Sequence, residues 1–314
     1  MGSNDYRLMN MVEDKAQLAG SNKMELLLFS LGGDETFGIN VFKVREVCEL
    51  RPITATPNSP PAMRGIISLR GSIIPVIDLA MHLAIGDAVP KGEGKLIITE
   101  YSSHTQAFLV AAVDRIVRVD WDQVKQPPSH LITGGGRVTA ITELPDGKLV
   151  SILDVEQILA DVMGEEQPPA FEPVDTDRSV FFADDSPLAR KKLTQVLEHL
   201  QVPFQQAQNG REAWERLQGL AGAAQAEQVR LADRLGAILV DAEMPEMDGY
   251  VLTRHIKSDA RFSGIPVVMH SSLTSVANKK LGQQVGVDAY VAKFHFDELA
   301  KVLTAMLTSR KENQ

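Results

Sequence analysis

From Ser179 onward, four short apolar runs alternate with stretches of helical period: Val180 to Ala183, Ala237 to Val240, Pro266 to His270 and Ala289 to Ala292. Few folds tolerate that rhythm. Apolar runs without strict polar alternation read as strands buried on both faces, and strands separated by helices pair in parallel, with the helices covering the sheet. The prediction is a doubly wound α/β domain, whose chemistry gathers at the carboxyl ends of the strands.

Those ends carry reactive residue types. Asp184 and Asp185 follow the first run, Asp241 the second, Ser271 the third and Lys293 the fourth. Three carboxylates can therefore converge. Alone they would repel one another and raise one another's pKa, so a hard cation such as Mg2+ is the natural compensator; it favours oxygen ligands and leaves positions for a phosphoryl oxygen. Lys293 would add positive charge and Ser271 a hydroxyl. Phosphoryl transfer needs such donors, because its catalysis is mostly positioning and electrostatics. Asp241 is the expected nucleophile. Taken singly, each of these is an ordinary surface or turn residue; their order on successive strand ends makes them a candidate site.

The stretch Asp241-Ala-Glu-Met-Pro-Glu-Met-Asp-Gly249 resembles the phosphoacceptor signature of response-regulator receiver domains, and Phe182-Ala-Asp184-Asp185-Ser186 resembles their acid pair. The resemblance spans residues 179–310. It implies a flavodoxin-like fold with a five-stranded parallel sheet and Asp241 as phosphoacceptor. It also implies Mg2+ held by Asp184, Asp185, Asp241 and the backbone carbonyl of Glu243, Ser271 and Tyr290 as switch residues, and Lys293 on the phosphoryl group. Two departures stand out. Phe294 occupies the place where family members usually carry proline after the lysine, and a cis bond before a non-proline residue costs about 2.5 to 4 kcal/mol, so a trans or strained connection is expected. Glu243 adds negative charge where hydrolytic water would approach, which is expected to lengthen the phosphoryl lifetime. Leu217 to Leu235 exceeds what a compact receiver needs and should form an extended helix and loop.

Residues 24–162 follow another rhythm. Leu26 to Leu31, Thr36 to Asn40, Ile66 to Leu69, Ser72 to Ile77, Lys95 to Tyr101, Gln106 to Val119 and Arg137 to Leu144 read as strands. Turn chemistry at Gly32-Gly33-Asp34, Asn58-Ser59-Pro60-Pro61 and Gly134-Gly135-Gly136 spaces them as in small barrels. Helices are expected at Val41 to Leu50 and Asp154 to Met163. Arg70-Gly71, between two apolar runs, reads as a tight hairpin turn that pushes the arginine outward.

The segments Phe37 to Val47 and Met63 to Leu79 resemble the CheW family of chemotaxis scaffold proteins, over residues 22–164. That resemblance implies a mainly-β double β-barrel with Arg70 near Glu46. It places Val44, Glu46 and Arg70 at, or in support of, contacts with chemoreceptor and histidine kinase. As a plain surface ion pair, Arg70 and Glu46 would contribute little.

Between the halves, residues 165–178 hold three prolines and several acids with little to bury, and are predicted to be a linker. Residues 1–21 are expected to form a tail with one short helix around Leu8 to Leu18. The formal charge of -9 argues against an extended phosphate-backbone interface, so no nucleic-acid partner is expected. The single cysteine, Cys48, reads as a small core residue in a reducing cytosol. No apolar run reaches the roughly 18 residues of a membrane-spanning helix, so no membrane insertion is expected. No pair of histidines has metal-ligand spacing, so zinc is not expected.

Together the halves resemble the CheV family of chemotaxis adaptors. This implies a cytoplasmic, non-enzymatic protein at receptor arrays beneath the inner membrane, coupling methyl-accepting chemoreceptors to the kinase CheA and phosphorylated by it on Asp241. Because the chain stops soon after the last receiver helix, the output is expected in the N-terminal half. One rival is a scaffold whose receiver is only a phosphate sink. Another is an aspartyl-phosphate phosphatase of the haloacid-dehalogenase type, which needs an aspartate where Glu243 stands.

Overall fold

The computed structural model describes residues 23–308, apart from 86–88, 90–91, 102–103, 126, 128–136, 166 and 273–275. The tail at 1–21 with its expected helix, and the Gly134-Gly135-Gly136 turn, lie outside the described residues. The rest divides into two units, residues 23–165 and residues 167–308.

The first unit is built from β1 (Lys23–Ser30), β2 (Thr36–Asn40), β3 (Val44–Glu49), β4 (Met63–Leu69), β5 (Ser72–Asp78), β6 (Lys95–Tyr101), β7 (His104–Val110), β8 (Ala112–Asp120), β9 (Val138–Glu143) and β10 (Leu149–Leu153). Two helices join them, α1 (Leu79–Leu83) and α2 (Val155–Met163). The strands form two five-stranded sheets, ordered β8-β1-β2-β10-β9 and β3-β6-β7-β5-β4. Each closes on itself through a residue just beyond one edge strand. Lys125, which follows β8, exchanges backbone hydrogen bonds of 2.9 and 2.7 Å with Ile141 of β9. Thr54, which follows β3, exchanges two of 2.9 Å with Ile66 of β4. The result is a double barrel, as expected.

Side-chain alternation explains the apolar runs. In β1, Leu26 and Leu28 point into the first barrel with Trp121 and Val150, whereas Leu27 and Phe29 enter a cluster shared with Ile97 and Phe108 of the second sheet. Leu96, Ile98, Ala107 and Leu109 fill the second barrel. Strands covered on both faces need apolar residues at consecutive positions.

Two expectations are corrected here, and one strand is added to them. Val41 to Leu50 is not a helix: only Val41–Lys43 makes a short 3-10 turn, and Val44–Glu49 is a strand paired antiparallel with β6. The spacing of Val41, Val44 and Val47 imitates a helical face, but β-branched side chains suit a strand and β6 supplies the non-local hydrogen bonds. Gln106 to Val119 is two strands, because the chain passes from one barrel to the other at Ala111, whose N–H donates to Ser30. Leu149–Leu153, not anticipated, is a strand that runs parallel to β2. Helix α2 lies where expected, with the Asp154 carboxylate accepting from the N–H groups of Glu156 and Gln157 at 3.0 Å each.

In the second unit the order is β11 (Ser179–Ala183), α3 (Pro187–His199), β12 (Phe204–Ala207), α4 (Gly210–Ala226), β13 (Leu235–Val240), α5 (Gly249–Ser258), β14 (Val267–Ser271), α6 (Val276–Val285), β15 (Ala289–Ala292) and α7 (Phe296–Thr308). All five strands are parallel, ordered β12-β11-β13-β14-β15. This is the flavodoxin-like order, with its switch point between β11 and β13. Leu193 and Val196 of α3 and Leu299 and Leu303 of α7 cover one face; Leu217 of α4 and Leu252 and Ile256 of α5 cover the other. The edge strand β12, Phe-Gln-Gln-Ala, lacks the apolar run that marks the other four. The long stretch at 217–235 is the end of α4 followed by one 3-10 turn at Leu231–Asp233. Residues 169–178 lie on this unit: the Val174 N–H donates to Leu200 at 2.9 Å, and Arg178 donates to the carbonyls of Met306 and Leu307.

Candidate functional site

Each acid reaches the rim because its strand ends there. Asp184 follows β11 and its N–H donates to Ala207 of β12 at 3.3 Å; Asp241 follows β13 and its N–H donates to Ala183 at 2.9 Å. These bonds hold the two backbones side by side. Asp184 is fully buried, Asp241 is 4% exposed and Asp185 is half-buried. Their carboxylate oxygens fall within 4.8 Å of one another.

Lys293 enters from β15, with its N–H donating to Ser271 at 3.1 Å. Its ammonium lies 2.9 Å from Asp241 Oδ2, 3.1 Å from Asp184 Oδ1 and 2.9 Å from Asp184 Oδ2. At 2% exposure, this cation shares its desolvation cost with two buried anions. Three acids against one lysine leave a formal excess of negative charge, the condition that a hard cation relieves. The spacing suits one. An octahedral ion with ligands at about 2.1 Å sets opposite oxygens roughly 4.2 Å apart, so oxygens within 4.8 Å need only a small contraction.

The loops around the acids are pinned. Ser186 accepts from the Ala189 N–H at 3.3 Å and caps α3, while its own N–H donates to Asp184 Oδ1 at 3.0 Å. Arg190, on the same helix, donates to the backbone carbonyls of Asp184 at 2.8 Å and Asp185 at 2.9 Å. Sequence reading passed over Arg190; its signal was a cation one turn beyond the cap after an acid pair. On the other side, the Asp248 carboxylate accepts from Val251 at 2.8 Å and caps α5. Gly249 is required there, since a Cβ would run into the Asp241 carbonyl.

Ser271 is buried at the end of β14, and its hydroxyl shares a hydrogen bond with that of Tyr290 on β15. Burial pushes the Tyr290 phenol up to about 12. Burial also raises the Tyr250 phenol, with Tyr290 and the carboxylate of Glu243 adding to the effect. Glu243 is itself buried. The Lys293–Phe294 peptide is trans, and Phe294 takes a φ of 65°, the left-handed region that costs a bulky residue. Its ring packs edge-on against Phe296 at 5.9 Å.

In the first unit, Arg70 and Gly71 have φ of 50° and 85° and link β4 to β5 in a two-residue hairpin turn. The Arg70 guanidinium lies 2.8 Å from Glu46 Oε2, and Arg70 is 66% exposed. Val44 is buried in the shared core, so it can act on a partner only by supporting its neighbours.

Comparison with known proteins covers both units. Residues 25–163 match the CheW-like domain, and residues 180–304 match the response regulator receiver domain. The chain is 30% identical over 311 residues to chemotaxis protein CheV3 of Helicobacter pylori, covering 95% of this chain and 99% of that one. It is 26% identical over 320 residues to chemotaxis protein CheV2 of the same organism, covering 95% and 99%. The crystal structure of scaffolding protein TtCheW from Thermoanaerobacter tengcongensis is 32% identical over 46% of this chain and 91% of that one, with a TM-score of 0.41.

Proposed function

The chain belongs to the CheV family of chemotaxis coupling adaptors, and from that premise we propose that its receiver accepts a phosphoryl group on Asp241 from the histidine kinase CheA and thereby adjusts the coupling of chemoreceptors to that kinase. The observation that carries this reading is the contact of Lys293 with both Asp184 and Asp241 at the carboxyl ends of the strands. The domains are read as a tail at 1–21, a coupling domain at 22–164, a linker at 165–178 and a receiver at 179–310. The working location is cytoplasmic, at receptor arrays beneath the inner membrane.

Asp241 attacks the phosphorus of the kinase phosphohistidine; the new O–P bond forms as the P–N bond breaks and the histidine leaves. Mg2+, held by Asp184, Asp185, Asp241 and the carbonyl of Glu243, would neutralise charge on the phosphoryl oxygens. Lys293, drawn from its carboxylate contacts, supplies a fixed ammonium to one of those oxygens, and the Ser271 hydroxyl donates to another. A dianionic group at Asp241 thus biases Ser271 and Tyr290, a change that the coupling domain can read. Glu46 and Arg70 are offered as the contact surface, with Val44 behind them. No turnover is proposed: the CheW-like and receiver domains are adaptor and regulatory domains.

The test is transfer from radiolabelled phospho-CheA with Mg2+, comparing wild type with Asp241→Ala. Label on wild type alone supports the acceptor; label on neither sinks it. Should phosphorylation occur without any change in array binding, the phosphate-sink reading replaces regulation.

A further inference from the structure

Lys293 leaves β15 into a tight turn. The His295 N–H donates to the Ala292 carbonyl at 3.2 Å, which makes Lys293 and Phe294 the two central residues. Of these two, Phe294 alone has a positive φ, 65°. That is the pattern of a type II turn, whose second central position normally holds glycine or asparagine because a Cβ crowds the backbone there. Phe294 is the only aromatic residue among the described non-glycine positions with positive φ.

A strained residue persists only where its surroundings hold it, and such strain collects beside functional groups. The Phe294 ring is half-buried, meets the ring of Phe296 edge-on at 5.9 Å and packs against the cluster that contains Leu299 and Leu303 of α7. Phe296 is buried and is the first residue of α7, so the ring ties the turn to the helix that follows. An edge-on aromatic pair contributes free energy of the same order as this backbone strain costs. On the other side, the Lys293 N–H bonds Ser271 of β14 at 3.1 Å. Lys293 is thus fixed both before and after its Cα, and its ammonium stands 2.9 Å from Asp184 and 2.9 Å from Asp241.

Resting on the reading that Lys293 serves a phosphoryl group on Asp241, we propose that Phe294 is a positioning residue: its ring locks the strained turn and thereby holds the Lys293 ammonium at the acids. Glycine at 294 would adopt this turn without strain, yet it would open many other conformations to the chain, because it takes either sign of φ and has no ring to anchor. Proline is no equivalent, since its ring fixes φ at roughly −65°, the opposite sign. A loosened lysine separates two ligands. Lys293 competes with a cation for the two carboxylates but assists a phosphoryl group, so its release weakens the hold on phosphoryl and leaves Mg2+ binding equal or stronger.

The test uses the full chain as wild type, Phe294→Gly and Phe294→Tyr; tyrosine keeps the edge-on ring, and the half-buried site lets its hydroxyl reach water. Acetylation by acetic anhydride in chelator, read by tandem mass spectrometry of peptides, follows Lys293 against Lys192 of α3, both 2% exposed. In Phe294→Gly, labelling of Lys293 should rise roughly five- to thirtyfold, the worth of freeing one residue's backbone, while Lys192 stays unchanged. Phe294→Tyr should restore the protection. In Mg2+, the phosphoryl analogue beryllofluoride should bind Phe294→Gly more weakly by a similar factor, whereas the affinity for Mg2+ alone holds or rises. Unchanged labelling of Lys293 overturns the inference, and so does a rise of Lys192 in step with it, which would mark general loosening. Absence of beryllofluoride binding in wild type overturns the receiver reading instead, and the labelling ratio still decides whether Phe294 holds Lys293.

Discussion

Lys293 places its ammonium 2.9 Å from Asp241 Oδ2, with both side chains almost wholly shielded from water. Removing one member of a buried ion pair strands the other. Lys293→Met should therefore lower stability by about 3 to 5 kcal/mol in chelator, and Mg2+ should restore part of the loss by taking over charge compensation at the acids. Urea unfolding with and without Mg2+ measures both; an unchanged midpoint in chelator would show that the lysine is not compensating these acids.

Glu243 is buried two residues beyond the proposed acceptor. Its negative charge opposes the approach of a polarised water, so Glu243→Ala should shorten the Asp241 phosphoryl lifetime on the order of threefold, the size of one screened charge at a few ångströms. Loss of label after removal of the kinase gives the half-life. A lifetime equal to or longer than wild type would count against this role.

The Arg70–Glu46 pair, with Arg70 66% exposed, is a poor source of stability. Arg70→Ala should change unfolding free energy by less than about 1 kcal/mol, yet weaken binding to CheA or receptor by about tenfold or more if the pair sits at the contact. Sedimentation with receptor arrays separates the two effects. Full binding by a normally folded variant removes Arg70 from the surface.

His82 of α1 lies 3.4 Å from Asp161 of α2, while Arg137 also bonds that carboxylate at 2.8 Å. Burial and the Arg137 charge hold the imidazole below its usual 6.5, with Asp161 opposing them. The unfolded chain therefore binds a proton that the folded unit resists. The contribution is intact above about pH 6.5 and is lost as pH falls below it. His82→Gln should flatten the decline in stability of the first unit between about pH 7 and pH 5. In a Trp214→Phe background, where Trp121 is the remaining tryptophan, its fluorescence follows that unit. Parallel pH profiles for the two proteins would refute the assignment.

The rim of the receiver was legible because apolar runs ended abruptly in Asp184, Asp241 and Lys293, and a parallel strand delivers the next residue to its carboxyl end. Strand β3 was not, because Val41, Val44 and Val47 recur at a helical spacing that a strand spreads over both faces, and only pairing with the partner β6 decides for the strand. Strand β12 escaped because Gln205 and Gln206 are exposed at a sheet edge and carry no burial signal. Tyr250 looked like one more aromatic after Asp248-Gly249; nothing in the sequence pairs it with Tyr290, 40 positions away.

By itself the sequence determined the alternation of strand and helix in the second unit and which chemical groups arrive at its strand ends, since these follow from periodicity and turn residues acting over a few positions. The tertiary structure alone decided that Lys125 and Thr54 close the two barrels, that the chain changes barrel at Ala111, and that one lysine bridges two carboxylates. Those outcomes depend on hydrogen bonds and charge contacts between distant segments, and local periodicity carries no record of which distant segment will be the partner.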